Sequence, residues 1–224
     1  MSKLQRTWAA SGALALVLFF CGLLFADLLG SSNYPPLNAS NARVRAYFLS
    51  NASEVRALTF FHVLAALALM SFAAYLHGWL EREADPAAAR LAPLALVGGV
   101  TAAAFLLLSA LIYRALAEQS VLHDTALTHA LVVLSYLAGG PAIAVPLALP
   151  IGAGTAAAFR GGALPRWTGW LGVAAAAVSL LSAATLLGPM NNSSALYGVL
   201  LLAAILGFAW IFVTSLLLAM RAEA

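Results

Sequence analysis

The longest apolar run in the chain extends from residue 125 to residue 159, and it is too long to cross a membrane as one straight helix. It contains no Asp, Glu, Lys or Arg, and it carries three prolines within ten residues. A straight helix of this length would measure about 52 Å, whereas a bilayer core of about 30 Å needs roughly 20 residues. Proline removes a backbone donor and clashes with the preceding turn, so the run predicts a kinked or broken helix. The residues predicted to form the break are Gly139, Gly140, Pro141, Pro146 and Pro150.

The chain as a whole has the composition of a membrane protein. Of its 224 residues 63% are hydrophobic and 8% are charged, which is too little polar surface for a water-soluble globule. The apolar runs do not alternate with period two, so helices are favoured over a β-barrel. The predicted fold is one all-α integral membrane domain, residues 1–224, a bundle of six transmembrane helices with a distorted fourth helix. The predicted spans lie near 8–30, 56–80, 92–117, 125–158, 166–188 and 195–220.

The distribution of basic residues predicts the orientation of the bundle. Seven Lys or Arg residues fall on the side of both chain ends and four on the other side, so both termini are expected in the cytoplasm. The Ala-, Leu-, Gly- and Arg-rich composition with a single lysine is typical of a bacterial protein, which predicts the inner membrane. The net charge of +3 follows from this bias, and without a basic-aromatic patch nucleic acid is not an expected partner.

The segment after the first span predicts a short amphipathic helix. Val44, Tyr47 and Phe48 recur at helical spacing, with Arg43 and Arg45 on the other side. Such a helix can lie on the outer membrane surface. The alternative is an ordered loop that only caps the bundle.

Two histidines and two carboxylates are candidates for a metal or haem site. Ionisable groups in membrane spans are costly, so His62, His129, Asp27 and Glu118 are each functional candidates. His62 and His129 are predicted at matching depth and facing each other, where they could bind a single haem or a transition metal. The alternatives are a neutral buried histidine, an interfacial Asp27, and an ion pair of Glu118 with Arg114 at i, i+4. Since no HxxxH or HExxH spacing is present, the absence of a cofactor is the preferred expectation.

One interfacial motif resembles a known family. Residues 165–172 read Pro-Arg-Trp-Thr-Gly-Trp-Leu-Gly, and residues 45–51 read Arg-Ala-Tyr-Phe-Leu-Ser-Asn. With the six-span layout, these segments resemble a family of actinobacterial-type membrane proteins, the domain of unknown function numbered 4386. The resemblance covers most of the chain, and it implies a fold and a membrane without an activity.

Three classes of function remain open from the sequence. The preferred class is a non-enzymatic membrane component that binds a lipid or a membrane protein partner, including a second copy of itself, because the polar content is low for a catalyst. The second is a small transporter or channel that uses the broken fourth helix. The third is a haem- or metal-binding redox protein that uses His62 and His129.

Overall fold

The fold is helical throughout the part of the chain that the computed structural model describes, which confirms the predicted class. The described residues are 3–27, 30, 34–36, 38–83, 85–160, 164–188 and 194–221. The helices are α1 (Lys3–Asp27), α2 (Asn41–Ser50), α3 (Ala52–Glu83), α4 (Pro86–Ala89), α5 (Ala92–Leu116), α6 (Gln119–Leu122), α7 (Thr125–Gly139), α8 (Pro141–Arg160), α9 (Arg166–Leu181) and α10 (Ala195–Arg221). A 3₁₀ helix, Ser182–Leu187, extends α9.

Six segments are long and apolar enough to cross a membrane. They are Arg6–Ala26, Ala52–Arg82, Ala92–Leu116, Thr125–Arg160, Arg166–Leu187 and Ala195–Arg221, and α7 and α8 together form the fourth. Each segment packs against the next one along the chain, and α10 returns to pack against α1. The six segments therefore close into a ring. We call the end of the bundle that carries α2 and α6 the α2 end.

The fourth span is interrupted at a single residue, Gly140. Pro141 has no N–H for the carbonyl of Leu137. The amides of Ile143 and Ala144 both donate to the Gly140 carbonyl, at 3.1 and 3.0 Å, so the carbonyl of Gly139 loses its usual donor to Gly140. The predicted distortion of the fourth helix is therefore present, and it leaves three carbonyls, those of Leu137, Ala138 and Gly139, without their helical donors.

The helix continues through Pro146 and Pro150, where the sequence also predicts a break. The reason lies on α5, where Gly98 packs directly over this part of α8. A Cβ at Gly98 would lie 2.6 Å from the Pro146 carbonyl oxygen and 2.7 Å from Cδ of Pro150. This is the carbonyl that Pro150 leaves without a donor. The close approach of α5 thus covers the proline-bearing side of α8 and keeps it within the bundle.

The interruption gives the two halves of the fourth span different neighbours. α7 packs against α5 and the short helices α2 and α6, whereas α8 packs against α5, α9 and α10. As a result, the backbones of α7 and α10 are not packed closely at the α2 end, where Tyr136 and Tyr197 stack across the space between them. A space remains there between α7 and the first and last helices of the ring.

The short helix α2 caps the bundle. Ser40 accepts a hydrogen bond from the amide of Arg43 at the start of the helix, as an N-cap does. Val44, Tyr47 and Phe48 are buried, and they form one apolar cluster with residues of α5 and α7. The predicted helical stripe is confirmed, and it faces the protein.

The contact between α1 and α10 is closest at the end opposite α2. The Ser215 hydroxyl donates to the carbonyl of Ala9 at 2.6 Å and accepts from the amide of Ala13 at 2.9 Å. In a regular helix the Ala13 amide donates to the Ala9 carbonyl, so Ser215 of α10 is inserted into the hydrogen-bond ladder of α1. Nearby, a Cβ at Gly12 would lie 3.0 Å from Cβ of Ser215.

Candidate functional site

The space beside α7 forms a cavity of about 370 Å³. This volume lies within the range of about 300–1,000 Å³ that is typical of small-molecule sites. Helices α1, α3, α5, α7, α8 and α10 all contribute to its wall. The lining residues are Phe19, Phe20, Leu23, His62, Leu106, Ser109, Tyr113, Ser135, Tyr136, Gly139, Gly140, Ile143, Ala144, Leu147, Tyr197, Leu200, Leu201, Ala203, Ala204, Ile205 and Phe208.

The cavity opens to the outside of the bundle on the side that α1 and α10 form. Among its large apolar lining residues, the exposed ones lie on these two helices: Phe20 is 49% exposed, Leu201 47% and Ile205 64%. All three belong to segments that are apolar enough to span a membrane. At this level α1 and α10 meet through the rings of Phe19 and Phe208, whose centroids are 4.8 Å apart, and not through small residues. The opening is therefore apolar and faces the surroundings of the spanning helices.

Hydroxyl groups line one side of the cavity, towards the α2 end. The Ser109 hydroxyl donates to the carbonyl of Ser135 at 3.4 Å. The Tyr113 hydroxyl donates to the Tyr34 hydroxyl at 3.3 Å. The Ser135 hydroxyl donates to the carbonyl of Val132 within α7 at 2.8 Å. Burial, followed by the neighbouring Tyr113, raises the pKa of Tyr34 well above its usual value, so its phenol stays protonated. We call Ser109, Tyr113 and Ser135 the hydroxyl cluster.

The interruption of the fourth span lies at this same side. Gly139 and Gly140 both line the cavity, and a Cβ at Gly139 would lie 2.6 Å from the Ser109 hydroxyl oxygen. The Gly139 carbonyl lacks its helical donor, as shown above. The hydroxyl cluster and the helix break thus form one polar region. Tyr136 and Tyr197 stack at its edge, with ring centroids 6.4 Å apart.

His62 lies in the cavity wall, but His129 does not. His62 is 5% exposed, and its ring stacks on Phe19 with centroids 4.6 Å apart and the planes 3° from parallel. Its Nε2 is 3.3 Å from the carbonyl oxygen of Phe19. His129 is exposed on α7 and contributes nothing to the cavity wall. The expectation that the two imidazoles face each other inside the bundle is therefore wrong, because the buried stripe of α7 is Thr128, Val132, Ser135 and Ala138.

The two carboxylates are not brought to His62. Glu118 lies outside the spans, where it pairs with Arg114 at i, i+4 and approaches Arg56 at 3.9 Å. The hydrogen bond and charge of Arg114 lower the pKa of Glu118 from its usual value, and the charge of Arg56 adds to this. Asp27 ends α1, and its side chain lies outside the described residues. Among the side chains that are described, no three His, Cys, Asp or Glu residues are grouped so as to hold a metal ion.

A haem or metal role for His62 and His129 stays a prediction. The direct measurement is a visible absorption spectrum with metal analysis of the purified protein. If a haem or metal is found, His62→Ala should remove it, and His129→Ala provides the comparison on the exposed side. The cavity described above does not depend on whether a haem or metal is found.

The hydroxyl cluster was not among the residues that the sequence singled out. Serine and tyrosine in spans carry no charge, so a search for ionisable groups passes over them. The available signal was a stripe of small and polar residues on α7, where Thr128, Val132 and Ser135 recur at spacings of four and three. Such a stripe marks the face that packs inwards, and it would have placed His129 outside.

Searches with the chain against protein-family models, curated proteins and solved structures find no match. The resemblance to the domain of unknown function 4386 family therefore stays a prediction. The cavity, with its apolar opening and its polar side, is the observation on which a function can be argued.

Proposed function

We propose that this multi-pass membrane protein is a non-enzymatic component that holds the hydrocarbon chain of a lipid in the cavity between α1, α7 and α10. The observation that carries the proposal is the opening, whose exposed residues Phe20, Leu201 and Ile205 lie within membrane-spanning segments. Lipid chains surround such segments in a bilayer, so a lipid can reach the opening without passing through water.

The lining of the cavity suits a chain more than a polar solute. Phe19, Phe20 and Phe208 lie at the opening, with Leu and Ala residues of α10 behind them. Moving a chain from the bilayer into this space gains little hydrophobic free energy, because lipid tails are as apolar as leucine. Affinity must therefore come from packing against the fixed rings and from the polar end of the ligand.

A cavity-filling substitution tests lipid binding directly. Ala204 lines the cavity, so Ala204→Trp should fill it and displace the chain. Ala177→Trp is the matched control, since Ala177 is exposed on α9 away from the cavity. Photo-crosslinking of a diazirine-labelled C18 lipid to the protein in nanodiscs should fall at least tenfold in Ala204→Trp and stay unchanged in Ala177→Trp. Equal labelling of both variants contradicts the proposal.

A second candidate, a small transporter, is favoured by one observation: the interrupted fourth span contributes Gly139 and Gly140 to the cavity wall. Discontinuous helices form the binding sites of many transporters. A transporter should move a membrane-soluble solute between the leaflets, whereas a binding component should not. Leaflet exchange of a fluorescent C18 lipid in reconstituted vesicles, compared with Ala204→Trp vesicles, separates the two.

We further propose that the protein resides in a bacterial inner membrane with both termini in the cytoplasm, supported by the seven-to-four bias of basic residues. The test uses a Cys21→Ala background, which removes the single cysteine. In intact cells a membrane-impermeant thiol reagent should label Asn38→Cys and leave Ser2→Cys and Ala222→Cys unlabelled. The reverse pattern contradicts this orientation. Cross-linking between differently tagged copies tests a homo-oligomer.

A further inference from the structure

We propose that the lipid held in the cavity carries an uncharged alcohol as its polar head, placed at the hydroxyl cluster. This inference rests on the proposed function, because it names the class of lipid that the same cavity takes. Two independent features of the wall carry it: its lack of charge, and its combination of hydrogen-bond donors and acceptors.

The lack of charged side chains in the cavity wall excludes ionic head groups. Apart from His62, none of the lining residues has a side chain that ionises near neutral pH. Arg114 follows Tyr113 in sequence, but it is exposed outside the cavity and paired with Glu118. A phosphate, carboxylate or ammonium head at the hydroxyl cluster would lose its hydration without gaining a counter-charge, which strongly disfavours its binding there. A neutral head avoids this cost.

The hydrogen-bonding groups select an alcohol among the neutral heads. The Gly139 carbonyl lacks its helical donor, so it favours a ligand that donates. Ser109 and Tyr113 form long hydrogen bonds of 3.4 and 3.3 Å, which a better acceptor can replace. An alcohol both donates and accepts, whereas an ether or ester oxygen only accepts. A hydroxyl head therefore satisfies more of this region than an ester, ether or ketone does.

The first experiment compares four ligands that share one oleyl chain and differ only in the head. Oleyl alcohol, oleyl methyl ether, oleate and oleyl phosphate compete with the diazirine-labelled lipid for the purified full-length protein in nanodiscs. One neutral hydrogen bond is worth about 1 kcal/mol, and 1.4 kcal/mol is tenfold in affinity, so the alcohol should compete about five- to tenfold more strongly than the ether. The two anions should compete more weakly still.

The outcomes separate the two proposals. If the ether or an anion competes as strongly as the alcohol, and Ala204→Trp still abolishes labelling, the alcohol head is wrong and the chain site stands. If none of the four competes and Ala204→Trp labels like the native protein, lipid binding itself is wrong.

A second experiment removes the hydroxyls while keeping the shape of the wall. The double variant Ser109→Ala, Tyr113→Phe removes donors from which both ligands accept, so competition by the alcohol and by the methyl ether should each weaken about fivefold or more. The preference for the alcohol should remain, because its hydroxyl still donates to the Gly139 carbonyl. Ser71→Ala is the control, since Ser71 bonds the Leu67 carbonyl within α3 and lies outside the cavity. Unchanged competition by both ligands in the double variant overturns the assignment of the head to this cluster.

Discussion

Trp210 fills the centre of the contact among α8, α9 and α10. It is 1% exposed, and its indole N–H donates to the carbonyl of Thr168 at 3.1 Å. A Cβ at Gly154 would lie 2.5 Å from the indole ring, and a Cβ at Gly172 would lie 2.7 Å from its nitrogen. Two glycines on different helices therefore make the space that this one large side chain occupies.

Gly154→Ala should destabilise the protein by about 1–3 kcal/mol, the usual cost of overpacking a filled core. The added methyl group must displace the Trp210 ring, which is held by its hydrogen bond to Thr168. Thermal unfolding in detergent, followed by tryptophan fluorescence, measures the change.

The control for this prediction lies half a turn away on the same helix. A Cβ at Gly152 would meet nothing within 4 Å, so Gly152→Ala should be neutral or stabilising by about 0.5–1 kcal/mol. Equal effects of the two substitutions would show that helix propensity, and not the Trp210 contact, decides the cost.

The ion pairs of Glu118 should depend on pH in a defined direction. Arg114, then Arg56, lower the pKa of Glu118 in the folded protein. Its contribution to stability is therefore complete above the unfolded pKa of about 4.3 and is lost as the pH falls through the lower folded value. Because the group is exposed, the effect is small. Glu118→Gln should lower the free energy of unfolding slightly at pH 7 and should leave it unchanged below the folded pKa of Glu118. A difference in stability that persists at that low pH contradicts the role given to the Glu118 ion pairs.

At the scale of single elements, the helices themselves were predictable and the point of interruption was not. Hydropathy gives the spans because every backbone group must be satisfied within a helix in the bilayer. The three prolines of the fourth span look alike in sequence, however. Pro146 and Pro150 are accommodated because Gly98, on a different helix, covers them. That contact depends on how α5 and α8 are rotated against each other, which no local pattern states.

Pro141→Ala should allow α7 and α8 to join and should narrow the cavity. The alanine supplies the N–H that the Leu137 carbonyl lacks, so a continuous helix becomes accessible. We expect α7 to move towards α10 and labelling by the diazirine lipid to fall severalfold. Spin labels at Leu134→Cys and Leu202→Cys, both exposed, report the distance between the two helices in the Cys21→Ala background.

Pro93→Ala is the control for this experiment, because Pro93 lies in the first turn of α5, where the backbone N–H has no helical acceptor. It should alter neither the distance nor the labelling. If Pro141→Ala also leaves both unchanged, the packing of α7 on α5 and α2 sets the interruption, and not the proline.

At the scale of the whole molecule, the ring of helices decides which candidate residues meet. The sequence placed His62 inside, and the structure places it in the cavity wall against Phe19 of α1. The sequence could not indicate that Phe19 is the residue that stacks on His62. The faces that α1 and α7 turn inwards depend on the ring of helices as a whole. His129 and Ser135 of the hydroxyl cluster lie six residues apart on α7, yet only Ser135 lines the cavity.

Ser215→Ala should weaken the closure of the ring. Its hydroxyl bridges the Ala9 carbonyl and the Ala13 amide, and interhelical hydrogen bonds in membrane proteins average about 0.6 kcal/mol, with a maximum near 1.7. We expect a loss of about 1 kcal/mol, measured by unfolding in mixed micelles. Ser71→Ala, which removes a bond within one helix, should change stability less. If Ser215→Ala loses no stability, the Ala13 amide re-forms its helical hydrogen bond with the Ala9 carbonyl at no cost in free energy.

The bridge at Ser215 also has a consequence for biosynthesis. Ala13 and Ser215 are separated by 202 positions in the chain, and a ribosome adds about 5–20 residues per second. For at least about ten seconds the first helix waits in the membrane for the hydroxyl group that completes its packing. During that interval the side of α1 that later receives Ser215 is not yet covered by α10.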